Sequence, residues 1–127
     1  MDIGLMRPIL TAIKPLVGAT IDAGSVGWVN PEETAILISK VVVDVTTIAT
    51  AAGTLSVGYA ATNVSANNLI DTLDCHSATG TFDNITDKGS SGKSRQKCAS
   101  GYYVTFNTAS GALAGMVANA YITYTRI

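Results

Sequence analysis

Apolar residues along this chain fall in short runs, mostly with a period of two, separated by clusters of Gly, Asn, Asp and Ser. The clearest run is Thr34 to Thr47. Ile36, Leu37, Ile38, Val41, Val42, Val43 and Val45 are almost all β-branched, the shape that packs well on a pleated surface. Lys40 and Asp44 interrupt it, so part of one face meets solvent. Its length predicts a bulge or passage along a sheet edge. Ala51-Ala52-Gly53 reads as a turn, and Thr54 to Ala60 alternates Leu55, Val57 and Tyr59 against Thr54, Ser56 and Gly58. The two segments read together as a hairpin.

Other segments are less regular. Pro8 and Pro15 forbid a continuous helix near the N-terminus, so Ile9 to Val17 reads as a first strand ended by Gly18. The alternative for residues 1–17 is an extended arm lying on a neighbouring molecule. Asn30-Pro31-Glu32-Glu33 signals a turn. Ser65 can cap a short helical turn carrying Leu69, Ile70 and Leu73. Thr79 to Ser94 is rich in Gly, Ser, Thr and Asp, with Phe82 and Ile85 as anchors and Lys88 to Gly92 as an exposed tip. Ser94 to Ala99 and Tyr102 to Asn107 read as strands joined at Ser100-Gly101. Ala109 to Gly115 reads as a loop, and Met116 to Arg126 as a closing strand.

About six to eight short strands with regularly spaced turn signals predict an all-β chain. The expected architecture is a single β-sandwich or jelly-roll-like domain over residues 1–127, with an extended N-terminal segment and at most one short helical turn. No internal repeat or linker divides it.

Composition narrows the function. Charged residues are 13% of the 127, about half the usual share, so the polar surface comes from Thr, Ser, Asn and Gly. Such a surface suits a subunit partly hidden in an assembly. A net charge of −1 gives no overall attraction to nucleic acid or anionic membrane, and aromatics are only 6%. No stretch reaches the roughly 18 apolar residues of a membrane span. Asp2 stands where a signal peptide carries basic residues, so synthesis in a host cytoplasm without a signal peptide is expected.

Candidate chemistry is sparse. A nucleophile needs a base and an orienter, and His76 is the one histidine. Cys75 and Ser77 flank it but point to opposite faces in a strand, so no catalytic residue is assigned and an enzyme is not expected. No C-x-x-C pair accompanies His76, which argues against zinc, and no cofactor is expected. Asp71, Asp74, Asp83 and Asp87 offer either a calcium set or carboxylates that cap loop turns. Asp87 to Ser94 departs from a phosphate-binding loop, because Asp87 stands where glycine is needed and a strand is expected after Ser94. Lys93, Arg95 and Lys97 share one side of an extended segment. They are either a strip for an acidic partner surface or lysine protection of an edge. Of Tyr102 and Tyr103, one faces the core and the other is the candidate surface contact. Cys75 and Cys98 are ordinarily free thiols in a chain without a signal peptide; a late disulfide between them is possible if the protein ends outside the cell.

The segments Val41 to Thr47, Gly53 to Tyr59, Phe82-Asp83-Asn84, Ser94-Arg95-Gln96-Lys97 and Ala120 to Thr125 together resemble the capsid decoration (cement) proteins of tailed bacteriophages. The resemblance is one of texture and carries no site motif. It implies a β-sandwich on a capsid surface that binds the major capsid protein between capsomers, with a homo-oligomer, favouring a trimer, at symmetry points. The residues proposed to meet partners are Ile3, Leu5, Met6, Arg7, Lys93, Arg95, Lys97 and Tyr103. The alternatives are a glycan- or receptor-binding sandwich of a fibre or tail, and a strand-exchanging filament subunit.

Overall fold

The structure, a computed structural model, describes residues 8–127. In chain order the elements are β1 (Ile9–Val17), α1 (Gly18–Ala23), β2 (Val26–Val29), β3 (Ile36–Thr47), β4 (Gly53–Ala60), β5 (Ile70–Asp74), β6 (Gly80–Asp83), β7 (Gln96–Cys98), β8 (Tyr103–Gly111) and β9 (Val117–Arg126). All pairing is antiparallel. One sheet has the order β1-β9-β3-β6, with β7 also on β3; the other is β2-β8-β4-β5.

The pairing is nested. β4 pairs with β5, β3 with β6 and β7, β2 with β8, and β1 with β9. This is one long hairpin rolled up so that successive rungs fall alternately in the two sheets. Pairing of β9 with β3, and of β8 with β4, completes each sheet. The result is the jelly roll expected from the strand pattern.

Alternation places the core between the sheets. Ala118, Ala120, Ile122 and Tyr124 of β9 face Leu55 and Val57 of β4 and Val104 and Phe106 of β8, all buried. A fully buried side chain of this kind contributes about 1.5–3 kcal/mol. Trp28 of β2 and Tyr124 of β9 join the sheets, with ring centroids 5.5 Å apart. In β3 the buried set changes from Ile36 and Ile38 to Val41, Val43 and Val45. The change of parity coincides with a register shift between Ile38 and Lys40. That is the bulge the long β-branched run predicts.

Several expectations are corrected. The short helix is α1, not Ser65 to Leu73, where a loop leads into β5. Thr72 in β5 has φ +60°, and the register with β4 slips between Leu55 and Val57. This bulge buries both Ile70 and Leu73, three residues apart, and so imitates helical spacing. β3 and β4 are not a hairpin, because they belong to different sheets. Ile85 is 49% exposed and anchors nothing; its neighbour Asn84 is fully buried. β8 runs on to Gly111, shortening the loop expected from Ala109.

Residues 9–17 form a strand of the chain's own sheet, with Leu16 buried, so the arm reading fails for them. Ile3, Leu5, Met6 and Arg7 lie outside the described residues.

Candidate partner-binding surfaces

Lys93, Arg95 and Lys97 are all exposed, alternating with half-buried Ser94 and Gln96 and buried Cys98. The segment is held from behind: Lys93 donates its N–H to Asn68 O at 3.1 Å, and Gln96 Nε2 donates to the same oxygen at 3.3 Å. Lys97 lies opposite Leu37 in the β3–β7 register, on the outer face of its sheet. The ion pair among the described residues is Arg126 Nε–Glu32 Oε1 at 2.6 Å, so the three basic residues spend no charge on an acid of the described chain.

Tyr102 packs against the core, whereas Tyr103 is half-buried on the opposite face of β8. There its ring lies over Gly27, close enough that a Cβ at that glycine would meet it at 3.0 Å. Tyr103 therefore lies on the outer face of the second sheet. The structure does not bring it together with Lys97.

A loop, residues 61–69, covers the outer face of this second sheet. A Cβ on Gly27 would meet Asn63 Oδ1 at 2.7 Å, and one on Gly58 would meet the Cβ of Ala66 at 2.5 Å. Beside the loop lies an open polar cleft of about 420 Å³ whose walls include Ser56, Ser65, Asn67, Asp71 and Thr72. A second, of about 370 Å³, includes Asp71, Asp74, Asp87 and Phe82. Neither was legible in the sequence, because the walls come from segments far apart along the chain.

The loop aspartates act locally. Asp74 accepts the N–H groups of His76 and Ser77 and the Ser77 hydroxyl, which hold its carboxyl below the usual range, the hydroxyl most of all. Asp83 accepts the N–H groups of Ile85 and Thr86, and Asp87 accepts that of Asp83. Asp71 accepts the N–H of Ser91 and the amide of Asn67. This is the turn-capping arrangement, and among the described residues no group of three or more His, Cys, Asp or Glu is placed to hold a metal ion. His76 Nδ1 sits 2.7 Å from Ala49 O. Residues 87–94 form a loop rather than a strand-to-helix turn; Gly89, at φ +70°, lies against Asp71 O.

Cys75 and Cys98 are both free and buried, which corrects the possible disulfide. Cys98 pairs with Ile36 at the start of β3, while the Cys75 carbonyl accepts the Ala49 N–H just past its end. About 40 Å of strand separates those positions, far beyond the roughly 7 Å a disulfide spans. Burial, with the Asp74 charge adding to it, pushes the Cys75 thiol up to about 12. Burial alone pushes Cys98 to about 11.

Pattern reading also missed the outer face of β1. Ile9, Ile13 and Val17 are 71, 60 and 50% exposed, and Val117, opposite Val17, is 44% exposed. The signal was present as parity: these residues alternate with half-buried Leu10 and Ala12 and buried Leu16. No described helix is long and apolar enough to cross a membrane.

No protein-family model matches the chain. No curated protein matches it in sequence. Among solved structures it is similar to a chain of the acidic stable capsid of Helicobacter pylori bacteriophage KHP30. The TM-score is 0.59 and the identity 16%, over 95% of this chain and 90% of that one. At that identity the likeness establishes the fold: this chain shares its β-sandwich, nearly end to end, with a chain of a phage capsid structure.

Proposed function

We propose that the protein is a structural virion component that decorates a phage capsid, binding the major capsid protein between capsomers and stabilising the shell. The observation that carries this function is the fold likeness over almost the whole of both chains to a chain in a phage capsid structure. The surface supports it. The outer face of the first sheet carries exposed Ile9, Ile13, Val17 and Val117 along β1 and β9, and basic Lys93, Arg95 and Lys97 are exposed along the other side of the same sheet, where β7 pairs with β3. Apolar contacts with a charged margin suit a protein–protein interface.

The mechanism is mass action. A protein that binds the assembled shell and not the dissociated subunits adds its binding free energy to the shell. The gain is about 2.7 kcal/mol per site at a hundredfold excess over Kd. This requires a rigid fold and complementary surface, and no catalytic step.

The test is co-sedimentation with expanded empty capsids, followed by thermal disruption of the shell. Binding at a fixed ratio and a raised disruption temperature are expected. Reversing the charge of Lys93, Arg95 and Lys97 together is expected to weaken binding, most at low salt. A protein that stays in the supernatant overturns the proposal, and selective capture by a glycan array instead assigns it to receptor binding.

A further inference from the structure

We propose that β1 is a dimer edge, at which a second copy of this chain pairs its own β1 antiparallel about a two-fold axis at Thr11. Among the described residues β1 is an open edge of its sheet, and it stays in unbroken one-to-one register with β9 over all nine residues. The other edges are blunted: β2 and β6 have four residues each and β7 three, and β5 is kinked at Thr72. Soluble proteins protect long flat edges with proline, charge or bulges; in β1 the charge and the proline, Lys14 and Pro15, stand only near its end, so its first five residues are a template for another strand.

Pro15 fixes which way the strand faces. A proline has no N–H, so it keeps its place in an unbroken ladder only with its nitrogen toward the open side. Alternate residues share that orientation, so the N–H and C=O groups of Ile9, Thr11 and Ile13 also face the open edge. The five residues Ile9-Leu10-Thr11-Ala12-Ile13 contain neither charge nor proline. About a two-fold at Thr11, Ile9 of one copy faces Ile13 of the other on the outer surface, and Leu10 faces Ala12 on the inner. Every pair is apolar except the central Thr11 pair, and Lys14 and Pro15 fall outside the matched stretch.

The pairing joins one sheet from each copy into a single sheet, an isologous arrangement closed at two subunits. It differs from the trimer implied by the cement-protein resemblance, and it does not rest on capsid binding.

Two measurements on the full chain, without capsid, test the pairing. Light scattering is expected to give twice the 13.1 kDa of one chain. Thr11→Pro, which removes an open-edge N–H as Pro15 already does, is expected to return the mass to one chain. Thr11→Cys is expected to form a disulfide-linked dimer under mild oxidation, since Cα atoms in a hydrogen-bonded antiparallel pair lie about 5.5 Å apart. Val29→Cys, on the edge strand of the other sheet, is expected to give none. A monomer, a trimer, or a dimer that does not cross-link through Thr11→Cys overturns the proposal. Each leaves the capsid-binding result untouched.

Discussion

Asp22 receives the backbone N–H of Leu113 on both carboxylate oxygens, at 2.9 and 3.0 Å. Asp22 lies in α1, the connection from β1 to β2, and Leu113 in the connection from β8 to β9, so each segment crosses between the sheets. The Thr108 hydroxyl donates to the same carboxylate. Gly18 seals the contact: its N–H donates to Met116 O at 2.9 Å, and a Cβ there would overlap the Leu113 carbonyl. One carboxylate thus clasps two crossings at one end of the sandwich.

The clasp predicts a pH dependence. The Thr108 hydroxyl, then the Leu113 N–H, hold the Asp22 carboxyl below its usual range. A lowered folded-state value means that stability is present above the unfolded value of about 4 and is lost as pH falls through the folded value. Asp22→Asn is expected to lower Tm at pH 7 and to narrow its deficit against the parent as pH falls below 4. Melting curves of both proteins across that range decide it, and a deficit unchanged with pH removes the carboxylate from the account.

Asn84 predicts a larger loss. β6 pairs with β3 at Val42 to Val45 and β7 at Ile36 to Ile38, leaving a gap along that side. The Asn84 side chain fills it, accepting the Val41 N–H at 2.8 Å and donating to Lys93 O at 2.9 Å and Ser94 O at 3.1 Å. It acts as a missing rung of backbone. Asn84→Ala leaves these groups without their partner, at about 1–3 kcal/mol for each buried group not rescued by water. Urea denaturation is expected to show a loss of about 3 kcal/mol, and a loss near zero contradicts the rung.

The strands were legible because β-branched alternation is local, and β1, β3, β4 and β9 fall where it places them. Sheet membership was not, because the jelly roll pairs segments by nesting rather than by succession, and nothing in Thr47 to Gly53 tells a hairpin from a crossing. Burial is legible where it follows hydrophobicity and not where it follows hydrogen bonding: of the two anchors the sequence offers, Phe82 packs on the core and Ile85 does not, while the buried residue is Asn84. Of the candidate surface, the exposed alternation of Lys93, Arg95 and Lys97 was legible, while the clefts depend on how loops fold across the second sheet.

The thiols are expected to be inert in the folded protein. With values of about 12 and about 11, Cys75 and Cys98 hold almost no thiolate at pH 8, and burial denies a reagent access. A thiol-specific dye is expected to label neither in buffer and both in denaturant, and non-reducing electrophoresis to show no internal bridge. Fast labelling of either native cysteine contradicts the packing around it.

Gly58→Ala is expected to lift the loop off the second sheet. The new methyl would meet the Ala66 Cβ at 2.5 Å and its backbone carbon at 2.6 Å. Overpacking of this kind costs about 1–3 kcal/mol. Hydrogen exchange is expected to rise at the Leu69 and Tyr59 amides, which bond to Val57 O and Asn68 Oδ1. Unchanged exchange there means the loop accommodates the methyl elsewhere.

The outermost rung of the rolled hairpin has a consequence for synthesis. β1 is made about a hundred residues before its partner β9, so β1 has no sheet to join until β9 leaves the ribosome. At roughly 5–20 residues per second, that leaves β1 waiting several seconds, with its apolar odd row and its even row both in water. Pairing so distant in sequence is also intrinsically slow. Pro15 and Lys14, near the end of β1, then serve a nascent chain as much as a finished one: they interrupt an apolar segment while it waits.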